Sequence, residues 1–139
     1  MKQSVYHFQN KIINSPLLQW LPQNALEQFE GYFDLEIENM NHNKTVKTNG
    51  RIGYLLQGKA LIKQSHSDLE IQQNHLFGIQ LCSKNSMGFE IAPCHLQTKT
   101  DCIILWMDYK KFHFVCYTCC WFHVRLLQEI PIYFKQQIS

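Results

Sequence analysis

The chain has 139 residues, 45% hydrophobic and 17% charged, a balance that fits one folded domain with an ordinary core and excludes a disordered chain. Its formal net charge of +2, with no long Lys or Arg run, argues against nucleic-acid binding by this segment alone. No apolar run approaches a membrane span and Met1 to Phe8 is too polar for a secretion signal. The expected compartment is therefore the cytoplasm, with the six cysteines (Cys82, Cys94, Cys102, Cys116, Cys119, Cys120) as free thiols.

In chain order, two short helical patterns come first. Ser15 is placed to cap a turn opened by Pro16, and a second turn opens near Pro22 with Leu26 and Phe29 at helical spacing. From about Tyr32 to Met107 the character changes to short extended runs. Phe33 to Glu38 alternates apolar and polar, and Asn41 to Lys44 is loop chemistry. Arg51 to Lys63 reads as strand, glycine turn, strand, with Ser65 to Asp68 as a hairpin tip and Leu69 to Gln72 returning at period two. Further runs lie at His75 to Leu81, His95 to Thr98 and Cys102 to Met107. Several short strands at regular spacing predict a sandwich, a jelly roll or a barrel. After Asp108 the period turns helical. A short helix is expected from Lys110, and a longer one from Trp121 to Ile130, which Pro131 should kink or end.

Four phrases, in this order, resemble the effector domain of the Crp/Fnr superfamily of bacterial transcription regulators. Ser15-Pro16-Leu17-Leu18 with Leu26 and Phe29 is similar to its N-terminal helices. Tyr54 to Ala60 is similar to its strand, glycine, strand hairpin, and Leu76-Phe77-Gly78 to the Phe-Gly that opens its ligand cassette. Thr100 to Met107 with Lys111-Phe112 resembles the last strand running into its helices. The resemblance implies a mainly β fold, a double-stranded β-helix or jelly roll of the cyclic-nucleotide-binding type. Its expected divisions are helices over about 1–31, the β-roll over 32–107 and C-terminal helices over 108–139. It also implies a homodimer that reaches DNA only through a C-terminal winged helix-turn-helix, a module that residues 1–139 do not contain. The sequence is thus expected to be an excised effector domain, with a natural stand-alone domain as the alternative.

In family members that bind cyclic AMP, Phe-Gly is followed by a Glu that holds the ribose, and a later Arg-Ser holds the cyclic phosphate. Here those positions are Ile79 and Ala92-Pro93, with Cys94 and His95 next. A buried phosphate needs a cationic fork and backbone donors, whereas Ala92 carries no charge and Pro93 has no N–H. Leaving the anion unpaired would cost roughly several kcal/mol, so cyclic AMP is not the expected ligand. The candidate pocket, for a small neutral or weakly polar effector, comprises Gly78, Ile79, Gln80, Met87, Phe89, Glu90, Ala92, Pro93, Cys94 and His95. The alternative is a roll filled by its own side chains.

Two further sets of residues have competing readings. Cys120, Val124, Leu127, Ile130 and Phe134 form an apolar helix face, expected to meet a two-fold mate or else to bury against the chain's own roll. His113, Cys116, Cys119, Cys120 and His123 have spacing that can hold zinc or iron, but no second ligand pair is evident. They are read as core or interface residues, with a redox or haem sensor as the alternative. Cys82 and Cys94, which flank the cassette, could act as a thiol switch or simply pack. No residue set suggests catalysis and no cofactor is expected. A cupin-like metal protein or enzyme is the remaining alternative, although His66 and His75 stand far apart without a His-x-His group. The expected function is effector sensing and dimerisation for a Crp/Fnr-like regulator, through a shift between two packings of roll against helix.

Overall fold

The computed structural model describes residues 2–3, 5–22, 25–26, 34–84, 87–113 and 121–139. Two layers of antiparallel strands close into a roll, and helical segments cover one of its outer faces. The larger sheet has the order β1 (Lys2–Gln3), β2 (Glu36–Met40), β11 (Cys102–Asp108), β4 (Arg51–Gln57), β7 (Leu76–Phe77). The smaller sheet runs β3 (Thr45–Lys47), β10 (His95–Thr98), β5 (Ala60–Lys63), β6 (Leu69–Ile71). A separate hairpin pairs β8 (Ile79–Leu81) with β9 (Phe89–Ile91). This is a mainly β jelly-roll architecture with N-terminal helical turns and a long C-terminal helix, the fold class anticipated from the spacing of the strands.

β4 and β11 carry nearly unbroken apolar runs because both of their faces are covered. Tyr54 and Leu56 on β4, with Leu105 and Met107 on β11, pack toward Ile12, Leu17, Leu18, Leu126 and Ile130 of the helical layer. The alternate residues Leu55, Cys102, Ile104 and Trp106 point into the roll, where they meet Ala60, Ile62, Ile71, Phe77 and Leu96. A strand buried on two sides has no polar face to alternate with, which is why Ile103 to Met107 reads as a continuous run. β2 pairs with β11; Leu35 and Ile37 keep period-two spacing on the side of the main core, and Met40 at the strand's end turns to the roll interior.

Several local expectations are corrected. The first α-helix, α1 (Gln9–Ile13), precedes Ser15 and follows a 3-10 turn over Val5–Phe8. Ser15 opens no helix. Its Oγ donates to the Ile12 carbonyl at 2.6 Å, beside its own N–H at 3.1 Å, at the C-terminal end of α1, while its carbonyl accepts from Leu18 N in the turn that Pro16 enters. The last helix, α2 (Trp121–Ile138), runs through Pro131. Proline removes one N–H, but packing of Leu126, Ile130, Tyr133 and Phe134 on both sides of it against one core outweighs that lost bond. Strands β1, β3 and β9 carried no recognised signal, each being two or three residues long. Between β3 and β4 the turn is Asn49-Gly50, both at positive φ, closed by Arg51 N donating to Thr48 O at 3.1 Å. Phe29 lies outside the described residues.

α2 is held at its start by the N-terminal turns and further along by the roll. Near its start Trp121 meets Trp20 edge to face at 5.8 Å, and the Arg125 guanidinium sits 5.4 Å from the Trp20 ring. Midway, Pro131 lies under the β8–β9 hairpin where Gly88 approaches it. Near its end Tyr133 and Gln137 reach the segment 74–76.

Candidate functional site

β5, β6, β7 and β8, the segment 92–95 and the last turns of α2 border a half-open cavity of about 440 Å³. That is within the size range of small-ligand sites. Its walls are largely apolar: Ile62, Leu69, Ile71, Leu76, Phe77, Ile79, Ala92, Phe134 and Ile138. Lys63, Gln64, Gln80, His95 and Gln137 supply polar groups. Two grooves elsewhere are larger, about 510 Å³ around Asp34, Glu36, Arg51, Asp108 and Lys110, and about 670 Å³ around Lys59, Gln72 and Thr100. Both are lined mainly by polar and charged side chains that pair with one another or face solvent. The 440 Å³ cavity alone of the three combines apolar walls with a few converging polar groups.

Local chemistry positions this wall. Gly78 joins β7 to β8 at φ +86°, and a Cβ there would stand 2.9 Å from the Arg51 carbonyl, so a side chain at this corner would push the two strands apart. Its own carbonyl accepts from Ala92 N at 2.8 Å, which brings the segment 92–94 against the corner. Buried Thr48 completes the joint: its Oγ1 accepts from Cys94 N at 3.1 Å, and its N–H donates to Cys94 O at 3.0 Å. Burial pushes the Cys94 thiol up, against smaller opposite effects of hydrogen bonds from Thr48 and Gly78, so this thiol is poorly set to form a thiolate. Cys82, Cys94 and Cys102 are all unpaired thiols.

Of the ten residues named for the pocket, Gly78, Ile79, Gln80, Ala92, Pro93, Cys94 and His95 line the cavity. Phe89 is fully buried in the main core and meets Tyr109 edge to face at 6.1 Å. Met87 leans on that same core, and Glu90 accepts from the Gln80 amide outside the cavity. Phe89 and Glu90 point to opposite faces of β9, one into the main core and the other to Gln80, and Met87 precedes the strand; none of the three borders the cavity. Sequence reasoning missed the β5 and β6 residues and the helix residues Gln137 and Ile138. Period-two alternation marks which β5 and β6 side chains turn inward, but nothing local tells that α2 ends over this opening.

The basic side chains on the cavity wall are Lys63, held by Asp68 at 2.8 Å, and the exposed His95. No arginine fork faces the interior among the described lining residues. No group of three or more His, Cys, Asp or Glu among the described residues is placed to share a metal ion. Cys116, Cys119 and Cys120 lie outside the described residues, as does the side chain of His113, while His123 is buried. On the presumed two-fold face, Ile130 is fully buried in the chain's own core, Leu127 and Phe134 lean against it and Val124 is exposed.

His75 sits between the two residues that α2 holds. Burial pushes its imidazole below the ordinary value near 6.5, and Nδ1 accepts from Gln72 N at 3.2 Å, a bond only the neutral ring can accept. Stability contributed by neutral His75 is therefore complete above about pH 6.5 and declines as pH falls through the lower folded-state value. Urea midpoints are expected to drop between about pH 7.5 and about pH 5.5, with a visibly smaller drop in His75→Gln; equal drops in the two proteins would remove His75 from this account.

No known family profile matches the sequence, and no curated protein matches it by sequence. Solved structures match by shape. The N-terminal domain of a transcriptional regulator from Streptomyces coelicolor A3(2) superposes with a TM-score of 0.58 at 12% identity, covering 91% of this chain and 92% of that one. The sensor domain of the transcriptional regulator DNR from Pseudomonas aeruginosa gives 0.56 at 13% identity, over 94% and 91%. PKAR CBD2, solved with Sp-2Cl-cAMPS bound, gives 0.56 at 11% identity, over 96% and 83%. These neighbours are regulatory and sensor domains. No helix among the described residues is long and apolar enough to cross a membrane. Strand order, roll closure and C-terminal helix together give this chain the β-roll fold of those cyclic-nucleotide-binding and regulator sensor domains.

Proposed function

We propose that this chain is the effector-sensing, dimerising domain of a Crp/Fnr-like transcription regulator acting in the cytoplasm, and that its effector is a small, uncharged, largely apolar molecule. The observation that carries this reading is the 440 Å³ cavity, with Ala92-Pro93 where a phosphate clamp would need charge and N–H donors, roofed by the end of α2. An occupant pressing on Phe134 and Ile138 would bias the packing of α2 on the roll, and through α2 any DNA-binding module joined beyond it.

The test uses Nile red, a neutral fluorophore, and cyclic AMP. The wild-type protein is expected to take up Nile red saturably, and Ala92→Trp, which fills the cavity, to lower that uptake at least tenfold, about 1.4 kcal/mol. Calorimetry with cyclic AMP is expected to show no heat at concentrations up to about 100 µM, the range where a weakened clamp would still register. Tight cyclic AMP uptake, or Nile red uptake indifferent to Ala92→Trp, would overturn the reading.

The dimer contact belongs to the outer face of α2. Trp121, Val124 and Ile132 are each more than half exposed there, spaced three and eight residues apart on one side of the helix. A Val124→Asp, Ile132→Asp double variant is expected to sediment as a monomer at concentrations where the wild type is a dimer. A monomeric wild type would remove this part of the proposal.

A further inference from the structure

Gln137 makes two hydrogen bonds to one residue of the cavity wall. Leu76 N donates to its Oε1 at 2.7 Å, and its Nε2 donates to Leu76 O at 2.9 Å. Leu76 is in β7, the edge strand of the larger sheet, and pairs with Tyr54 of β4 on its inner side. Its N–H and C=O therefore point outward, in the position where a further strand would bind, and a single carboxamide satisfies both. One turn earlier, Tyr133 donates its hydroxyl to Asn74 O at 2.6 Å. That hydroxyl lies 3.4 Å from the Tyr54 hydroxyl, which accepts from Leu17 N at 3.3 Å. The end of α2 is thus fastened to the segment 74–76 by polar bonds, while Phe134 and Ile138 beside them line the cavity.

We propose that the Gln137 carboxamide is an autoinhibitory latch, which stands in for a neighbouring strand on β7 and keeps the last turns of α2 closed over the cavity until a ligand displaces them. The proposal rests on the cavity being a ligand site. Its physical basis is that the contact is directional and local: two bonds on one side chain, at a partly buried edge, whose loss frees the helix end and leaves the apolar core intact. A ligand that needs the open helix binds with an affinity reduced by the fraction of molecules open, so weakening the latch raises apparent affinity.

The experiment compares wild type, Gln137→Leu and Ala92→Trp, all as the full chain. Gln137→Leu removes both bonds and keeps a side chain of similar bulk. Hydrogen exchange of the Leu76 amide, read by NMR, is expected to quicken about tenfold or more in Gln137→Leu, and its apparent affinity for Nile red to rise severalfold. Unchanged Leu76 exchange would overturn the latch. Faster exchange with unaltered Nile red affinity, in a protein whose uptake Ala92→Trp still blocks, would overturn the latch and leave the cavity reading standing. If none of the three proteins took up Nile red, the cavity reading itself would fall and the latch with it.

Discussion

Trp106→Ala is expected to cost about 3–5 kcal/mol of folding stability, the largest loss of any single truncation in the roll. Trp106 is 1% exposed, and its side chain closes the interior between the two sheets. It makes three distinct contacts there. Phe77 meets it edge to face at 5.4 Å, the Arg51 guanidinium lies 4.0 Å from its ring, and its Nε1 donates to Glu38 at 2.9 Å. Removing the indole leaves a cavity, takes from the Glu38 carboxylate its indole N–H donor and removes the ring under the Arg51 guanidinium, which keeps its bonds to the Thr48 and Lys47 carbonyls. At roughly 2–8 °C per kcal/mol for domains bracketing this size, thermal unfolding should fall by about 10 °C or more. Trp106→Phe keeps most of the volume, so it should lose only about 1–2 kcal/mol, for the indole N–H bond and an imperfect fit. Denaturant titration of both variants is the check. A loss below about 1 kcal/mol for Trp106→Ala would mean that the two sheets are not packed through this residue.

Gly53→Ala should be the second large effect, and it should reach the candidate site. Gly53 lies in the middle of β4, opposite Phe77 of β7, and a Cβ there would fall well inside van der Waals contact of the Phe77 ring. The ring cannot retreat toward Trp106, which occupies its other side, so it must turn into the cavity that it lines. Overpacking of this kind costs about 1–3 kcal/mol. The distinguishing readout is Nile red uptake, expected to fall in Gly53→Ala together with the urea midpoint. A destabilised protein with full uptake would show that Phe77 moved elsewhere and that the cavity wall is independent of β4.

How the sequence relates to the site is clearest at two places. Along Arg51 to Gln57, Ala60 to Lys63 and Cys102 to Asp108, strand positions were readable because alternation or an unbroken apolar run records how many faces of a strand are covered. Ile79 and Ala92-Pro93 were readable because charge, or its lack, is a property of the residue itself, whatever surrounds it. By contrast, Pro131 pointed to a helix kinked or ended there, and α2 does not end at it, since the core contacts of Ile130, Tyr133 and Phe134 act over both halves together. Ser15 pointed forward to the turn that Pro16 opens; the turn forms, but the serine hydroxyl bonds back to the Ile12 carbonyl at the end of α1, because a short hydroxyl side chain bonds whichever nearby backbone group the fold brings to it.

By itself the sequence determined that the chain is mainly β with a helical end, and that the segment 79–93, which the resemblance marks as the ligand cassette, holds no arginine. Both follow from residue types and their spacing, which are local properties. Tertiary structure decided which side chains share the cavity: Phe89 and Glu90 turn away, Leu69 and Ile71 enter from β6, and Gln137 arrives from 61 residues beyond Leu76. Sheet closure and helix docking set these meetings through the summed burial of two cores, and no stretch of a few residues carries that sum.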